Sequence, residues 1–296
     1  MEFMREFPDD DACLVWLWRN RYSDDGEHAE CPKCGHWRAF KRYETAQRRQ
    51  TWTCTGCGYH VQPTAGTIFE KSSTSLHLWF YAIHLMTSTR CGISAKQLER
   101  ELGVTYKTAW RMLNLIRNEL MADEDGEKLS GDVEVDETFH GGKPRAAVTR
   151  AGLGYKHATY KPSVFGMVER GGRVKVTILP NRGGPAVHHT IYEHVLPESI
   201  IFTDDWKGYD SQSLSRRYIR HYRIKHKERV YVDGPVHTQT VVGFFGLVKS
   251  GIRGTYHDVS AKWLQGYLNE YAWHYNRRHD VRSMFEQLLL RAAVRS

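Results

Sequence analysis

The 296-residue sequence predicts a mixed α/β protein in three parts, and three observations carry that expectation. Two Cys-x-x-Cys pairs lie nineteen residues apart near the N-terminus. Two capped amphipathic helices follow them, and from residue 128 onward short alternating strands are interleaved with helices. The expected parts are 1–66 (a helix and a metal ribbon), 67–127 (a helical region) and 128–296 (an α/β body). A hydrophobic content of 41% and a charged content of 26% are ordinary for a soluble domain, so wholesale disorder is excluded. The net charge of +8 favours an anionic partner. No run of about 18 apolar residues argues for a membrane span. The acidic start, residues 1–11, lacks the apolar stretch of a secretory signal. Four of the six cysteines fall in the paired motifs, which suits metal in a reducing, cytoplasmic compartment better than a disulfide framework.

The first element is a helix over about residues 8–20, where a proline and acids precede an apolar stretch. The ribbon follows, over about 30–62. Cys31-Pro32-Lys33-Cys34 and Cys54-Thr55-Gly56-Cys57 each supply two thiolates from one tight turn, which suits tetrahedral Zn²⁺. Gly35 and Gly58 directly follow the pairs, where a knuckle needs positive φ. With all four positions filled by protein the metal would be structural, and a redox dithiol is the alternative. Tyr43, Trp52 and Tyr59 with Arg48 and Arg49 make the intervening hairpin β-prone and basic. Cys13 and Cys91 sit among apolar helical residues and are expected to be buried thiols.

A core helix is expected around Leu76, Trp79, Phe80, Ile83 and Leu85. Ser94 then opens a capping box with Gln97, Leu98 and Leu102 carry an apolar stripe, and Gly103 turns the chain. Thr105 caps a second helix whose apolar face is Ala109, Met112, Leu113, Ile116 and Leu120. Lys107, Thr108, Arg111 and Asn114 are left on its outer face, the residue types that meet phosphates and base edges. This pattern fits a DNA-binding helix-turn-helix, and it also fits a plain helical hairpin. An acidic stretch, 122–127, reads as a linker.

In the body, residues 133–139 alternate with period two. Val133, Val135 and Phe139 share one face; Glu134, Asp136 and Thr138 share the other. Two strands at 163–169 and 173–179 are separated by Gly171-Gly172, a helix is expected at 186–196, and an apolar strand at 199–205 ends in Asp204-Asp205. Carboxylates from two strands of one sheet suit a divalent-cation site, since Mg²⁺ prefers oxygen ligands. The glycine-containing basic segment 143–161, with Arg145, Arg150, Lys156 and Lys161, suits DNA contact or a solvated loop. A later helix at 238–250 has Val241, Phe244, Phe245 and Val248 on its apolar face. The helix from Ser260 presents Leu264, Leu268, Tyr271 and Tyr275 to a core.

Residues 133–143, Val-Glu-Val-Asp-Glu-Thr-Phe-His-Gly-Gly-Lys, resemble the first block of ISXO-type insertion-sequence transposases. Phe165-Gly166-Met167-Val168-Glu169-Arg170, Thr203-Asp204-Asp205-Trp206-Lys207-Gly208-Tyr209 and Val236-His237-Thr238-Gln239-Thr240 resemble later blocks. So do Phe244-Phe245-Gly246-Leu247-Val248-Lys249, Gly254-Thr255-Tyr256-His257 and Tyr275-Asn276-Arg277-Arg278, in order. The resemblance implies a ribonuclease-H-like fold and an Asp-Asp-Glu site. Asp136 and Asp204 match its first two acids, and Mg²⁺ or Mn²⁺ is the implied catalytic cation. It also implies cleavage of terminal inverted repeats and joining to target DNA, by a homo-oligomer on double-stranded DNA. The family's glutamate precedes a Gly-Phe pair, and here that position is Val242, 38 residues after Asp204. Lys249, seven residues further, is kept; it is expected at a phosphate near the scissile bond, or in solvent. Valine cannot ligate a metal. The chain is then a transposase with weakened or absent catalysis, a working one that draws a third ligand from Asp205, Gln239, Asp258 or Glu270, or a DNA-binding regulator on an inert body. His237 is read as a loop cap or a catalytic group, and Arg277 and Arg278 as DNA-backbone contacts.

Overall fold

The computed structural model describes residues 2–44, 50–122, 126–141, 162–179, 183–209, 212–224 and 234–294. Arg48 and Arg49 and the basic segment 143–161 therefore lie outside the described residues. Two compact units divide the chain: residues 1–120 with 280–296, and residues 121–279.

The first unit begins with α1 (Glu2–Glu6) and α2 (Asp10–Arg21), the latter capped by the Asp9 carboxylate, which accepts the Ala12 N–H at 2.9 Å. An antiparallel sheet follows in the order β1 (His28–Glu30), β2 (Trp37–Glu44), β3 (Gln50–Cys54) and β4 (His60–Val61). One face of this sheet packs on α2, where Trp18 stacks on Trp52 with ring centroids 5.0 Å apart and planes 11° apart. The helices α3 (Leu76–Ser88), α4 (Ala95–Leu102) and α5 (Tyr106–Leu115) come next, and α5 runs on into a π-helical turn, Ile116–Leu120. Every residue predicted for the apolar face of α5 is buried, as are Leu98 and Leu102. In α3 it is Met86 that is buried, while Leu85 is only partly so. Cys13 is buried, and burial pushes its thiol up to about 12, with Asp10 and Asp9 adding to the effect. Cys91, in contrast to expectation, is exposed. The last helix, α10 (Met284–Val294), joins this unit and not the body expected over 128–296: Phe285 packs against Phe3, Phe7 and His84.

The second unit is a five-stranded mixed sheet. Its strands are β5 (Asp132–Phe139), β6 (Ser163–Glu169), β7 (Val174–Leu179), β8 (Ile200–Asp204) and β9 (Arg220–Ile224), in the spatial order β7-β6-β5-β8-β9. Strands β5, β6 and β7 are antiparallel neighbours, whereas β8 runs parallel to β5 and β9 parallel to β8. Alternation sorts the side chains onto two layers. Val133, Val135, Phe165, Met167 and Ile201 pack against α6 (Gly184–His194) and Leu214 of α7 (Gln212–Arg217). Val164, Val168 and Val174 pack on the other side against α8 (Gln239–Gly251) and α9 (Leu264–Asn276). The free edge of β7 is covered by α9. Asn276 both accepts from the Val174 N–H (2.7 Å) and donates to its carbonyl (3.0 Å), and Gln265 does the same for the Ile178 N–H and Val176 carbonyl (3.1 Å each).

Candidate functional site: two strand carboxylates beneath a capped helix

The parallel register pairs Val133 with Ile201 and Glu134 with Phe202. Two residues past the last of these pairs lie Asp136 and Asp204, on the sheet face that α8 covers and near enough for the Asp204 charge to act on Asp136. Both are partly buried. Asp136 accepts the Glu137 N–H at 2.8 Å, and Asp204 accepts the Trp206 N–H at 2.9 Å. Burial raises the Asp136 carboxyl to about 7, and the negative charges of Glu137 and Asp204 add to that rise. The Glu137 N–H and the Lys249 ammonium pull the other way. Lys249, on the exposed flank of α8, is thus near enough to act on Asp136. An excess of negative charge around a partly dry carboxyl pair is what a divalent cation would relieve.

Helix α8 is held over this pair by a residue that sequence reasoning left unassigned. Glu134, with its side chain wholly buried, accepts the backbone N–H groups of Thr240 (2.7 Å) and Val241 (3.1 Å) and the Thr240 hydroxyl (2.9 Å). Arg170 donates to it at 2.8 Å, and His237 Nδ1 lies 3.0 Å away. Thr238, the helix's own cap residue, makes no side-chain cap bond, so a strand carboxylate neutralises the positive end of the helix instead. Arg170 also donates to the His237 carbonyl at 3.0 Å and lies over the Phe202 ring at 3.9 Å. His237 is therefore part of this cap. Gly166, the register partner of Asp136, lets α8 settle onto the sheet, because a Cβ there would stand 2.8 Å from Phe245 and 3.1 Å from Val241.

Val242 is half exposed on α8, in one strip with Gly246 and Lys249. Of the alternative third ligands, Glu270 and Asp258 are engaged by other groups. Glu270 is buried and accepts the Tyr256 hydroxyl at 3.2 Å; Asp258 accepts the Val259 N–H at 3.0 Å. Gln239 is exposed in the first turn of α8. Glu137 contributes charge, but its carboxylate accepts the Tyr209 hydroxyl at 2.6 Å. Among the described residues, no Asp, Glu, His or Cys completes a three-ligand group with Asp136 and Asp204. The sequence signal for Glu134 was its place on the same alternating face as Asp136, but nothing local announced its partners.

The one such group among the described residues is Cys31, Cys34, Cys54 and Cys57, whose sulfurs all lie within 4.8 Å of one another. Cys31 and Cys57 sulfurs are 3.6 Å apart, close to the ~3.8 Å edge of a tetrahedron with 2.3 Å Zn–S bonds. The knuckles are built alike. Gly35 donates to the Cys31 carbonyl (2.8 Å) and Gly58 to the Cys54 carbonyl (2.9 Å), both glycines at positive φ (66° and 70°). These four residues could hold zinc in a ribbon.

On α5, Lys107 is exposed and Thr108 and Asn114 are partly buried. Arg111 is exposed but leans back, donating to Ser72 at 3.2 Å. Ser94 and Thr105 accept the N–H groups of Gln97 and Thr108 at 3.1 and 3.4 Å, and Gly103 takes φ 65° between the two helices. Arg277 and Arg278 are spent within the second unit. Arg277 lies over the Trp273 ring at 3.2 Å, and Arg278 donates to the Gly172 and Tyr275 carbonyls at 3.0 and 2.6 Å.

The sequence model of the ISXO2-like transposase domain matches residues 128–276. A protein of Halobacterium salinarum, described as an uncharacterized protein in transposable element ISH50, is 28% identical over 243 residues. The match covers 71% of this chain and 73% of that relative.

Proposed function

We propose that this chain, which belongs to the ISXO2-like transposase domain family, is built to cut insertion-sequence ends and join them to target DNA, with its cation site one ligand short. The observation that carries the reading is that Asp136 and Asp204 stand on neighbouring parallel strands, with Asp136 raised to about 7 by burial and by the charges of Glu137 and Asp204. The strand order, with β5 central between an antiparallel pair and a parallel pair, supports a ribonuclease-H-like body. Asp136 and Asp204 would hold Mg²⁺ or Mn²⁺, which when bound supplies Lewis acidity at the scissile phosphate. Glu134 fixes α8 above them, and Lys249 answers the phosphate's charge. Val242 offers no oxygen where the family's third acid belongs, so that flank is left to water. In the first unit the cysteines would hold structural Zn²⁺. The pair α4–α5 would act as a helix-turn-helix, meeting duplex DNA through Lys107, with Thr108, Arg111 and Asn114 around it. DNA contact by Arg277 and Arg278 would require them to leave their internal partners.

Val242 also favours a second reading, a DNA-binding regulator on an inert body. Cleavage of terminal-repeat DNA with Mn²⁺ separates the two. The chain should cut poorly and Val242→Glu should restore cutting at least tenfold, the gain expected from about 1.4 kcal/mol of barrier. Equal activity in the two proteins would refute the role given to position 242. No cutting by either would leave the regulator.

A further inference from the structure

The flank of α8 that carries Lys249 does not stop at the helix end. Beyond Gly251 the chain winds into a π-helical turn, Ile252–Tyr256, and exposed basic residues continue along it at Arg253 and His257. Lys249, Arg253 and His257 follow one another at four-residue intervals along this flank, the last of them just past the π-turn. In an α-helix such a step advances ~6 Å, close to two base-pair rises along the duplex axis at about 3.4 Å each. The Arg253 side chain makes no hydrogen bond or ion pair among the described residues.

His257 is held in a costly shape. At φ 63° and ψ −50° it is one of two non-glycine residues with positive φ among the described residues. The Asp258 N–H donates to the Tyr256 carbonyl at 2.7 Å, closing a three-residue γ-turn of the rare, strained hand. The exposed His257 ring gains no packing from this, and glycine would adopt the shape freely. The turn is held from below, where Tyr256 donates to buried Glu270 and packs edge-on against Tyr267 at 4.7 Å. His257 Nδ1 lies 3.2 Å from the Arg253 carbonyl, which can accept its N–H and leave Nε2 for another partner. Strain kept at an exposed residue marks a functional constraint more readily than a packing one. Asp258, the neighbouring acid, is turned elsewhere: it accepts the Val259 N–H and lies 3.9 Å from His140 Nε2.

We propose that Lys249, Arg253 and His257 form a phosphate rail that grips the DNA strand leading away from Asp136 and Asp204, with His257 binding as an imidazolium through Nε2. The rail rests on the reading that duplex DNA is the substrate. Binding of the full chain to a duplex of about 30 base pairs of arbitrary sequence, titrated with salt at pH 6, tests it. Arg253→Gln and His257→Gly should each lower the slope of log K against log salt by about 0.9, and the double variant by about twice that. His257→Gly should at the same time raise the melting temperature, because glycine takes the turn without strain. Parental slopes in all three variants would overturn the rail, as would a His257→Gly protein that melts lower and binds DNA unchanged. If Lys107→Gln weakens binding while the rail variants keep the parental slope, the rail fails and the DNA reading stands. A chain that binds no duplex overturns both.

Discussion

Asp136 carries the sharpest consequence at the scale of single residues. Burial first, then Glu137 and Asp204, set its carboxyl at about 7 against an ordinary 3.8. A folded-state value above the unfolded one means that the native protein keeps a proton the unfolded chain releases. Its contribution to stability is full below about pH 4 and is lost as the pH climbs through 7. Asp136→Asn removes that loss. In zinc-loaded protein without Mg²⁺ or Mn²⁺, its advantage in melting temperature should open near pH 4, widen to pH 7 and stay level above. Added Mn²⁺ should close the gap by stabilising only the parent. Equal melting at pH 8 without metal would show a well-solvated carboxyl pair. Glu134 makes a second case. Glu134→Ala strands Arg170 and two helix N–H groups, and urea denaturation should register a loss of about 3–5 kcal/mol, the range for breaking a buried ion pair. A loss below about 1 kcal/mol would mean that α8 caps itself. Glu134 was visible in the sequence as an acid on the alternating face, but its partners Thr240 and Val241 lie over a hundred residues away. Proximity of that kind is a product of the fold, and no local pattern encodes it.

Elements were legible in proportion to how local their chemistry is. The knuckles of the ribbon, the capped starts of α4 and α5, the buried face of α5 and the placing of Val133 and Val135 on one face of β5 all follow from spacings of a few residues, and each is present in the structure, although Phe139 of that same predicted face is exposed. The edge strand β9, with the pattern Arg-His-Tyr-Arg-Ile, has no apolar alternation to betray it and forms by pairing with β8. The π-turns after α5 and α8 likewise answer to packing: a Cβ on Gly251 would stand 1.9 Å from the Tyr271 hydroxyl, just where α8 changes its winding. The ribbon has a core of seven buried residues, two of them its own cysteines. With so small a core, a zinc-loaded ribbon would depend on its metal. Cys54→Ser should therefore lower bound zinc from one ion per chain and bleach the near-ultraviolet circular dichroism of the stacked Trp18–Trp52 pair. Full zinc occupancy in that variant would refute the four-thiolate site.

On the scale of the whole molecule, the chain closes its first unit with its own last helix. The expectation for 128–296 gave α10 to the body because its apolar pattern says only that it needs a core, not which one. Leu288, Leu289, Ala292 and Ala293 are buried, and Phe285 meets rings from α1 and α3 and Phe7 between α1 and α2. The second unit, residues 121–279, is by contrast continuous in sequence and contains the whole family match, 128–276. The first unit thus joins residues far apart in sequence, whereas the second is drawn from one continuous stretch. Leu288→Ala, at a fully buried position, should cost about 2–5 kcal/mol, and all of it should fall on the first unit. Calorimetry of the zinc-loaded chain should show one transition accompanied by zinc release and another without it, and only the zinc-linked transition should move down in the variant. A chain cut after His279 should lose that transition and keep the other. If Leu288→Ala lowers both transitions equally, α10 supports the body as well, and the division of the chain into two independently stable units is wrong.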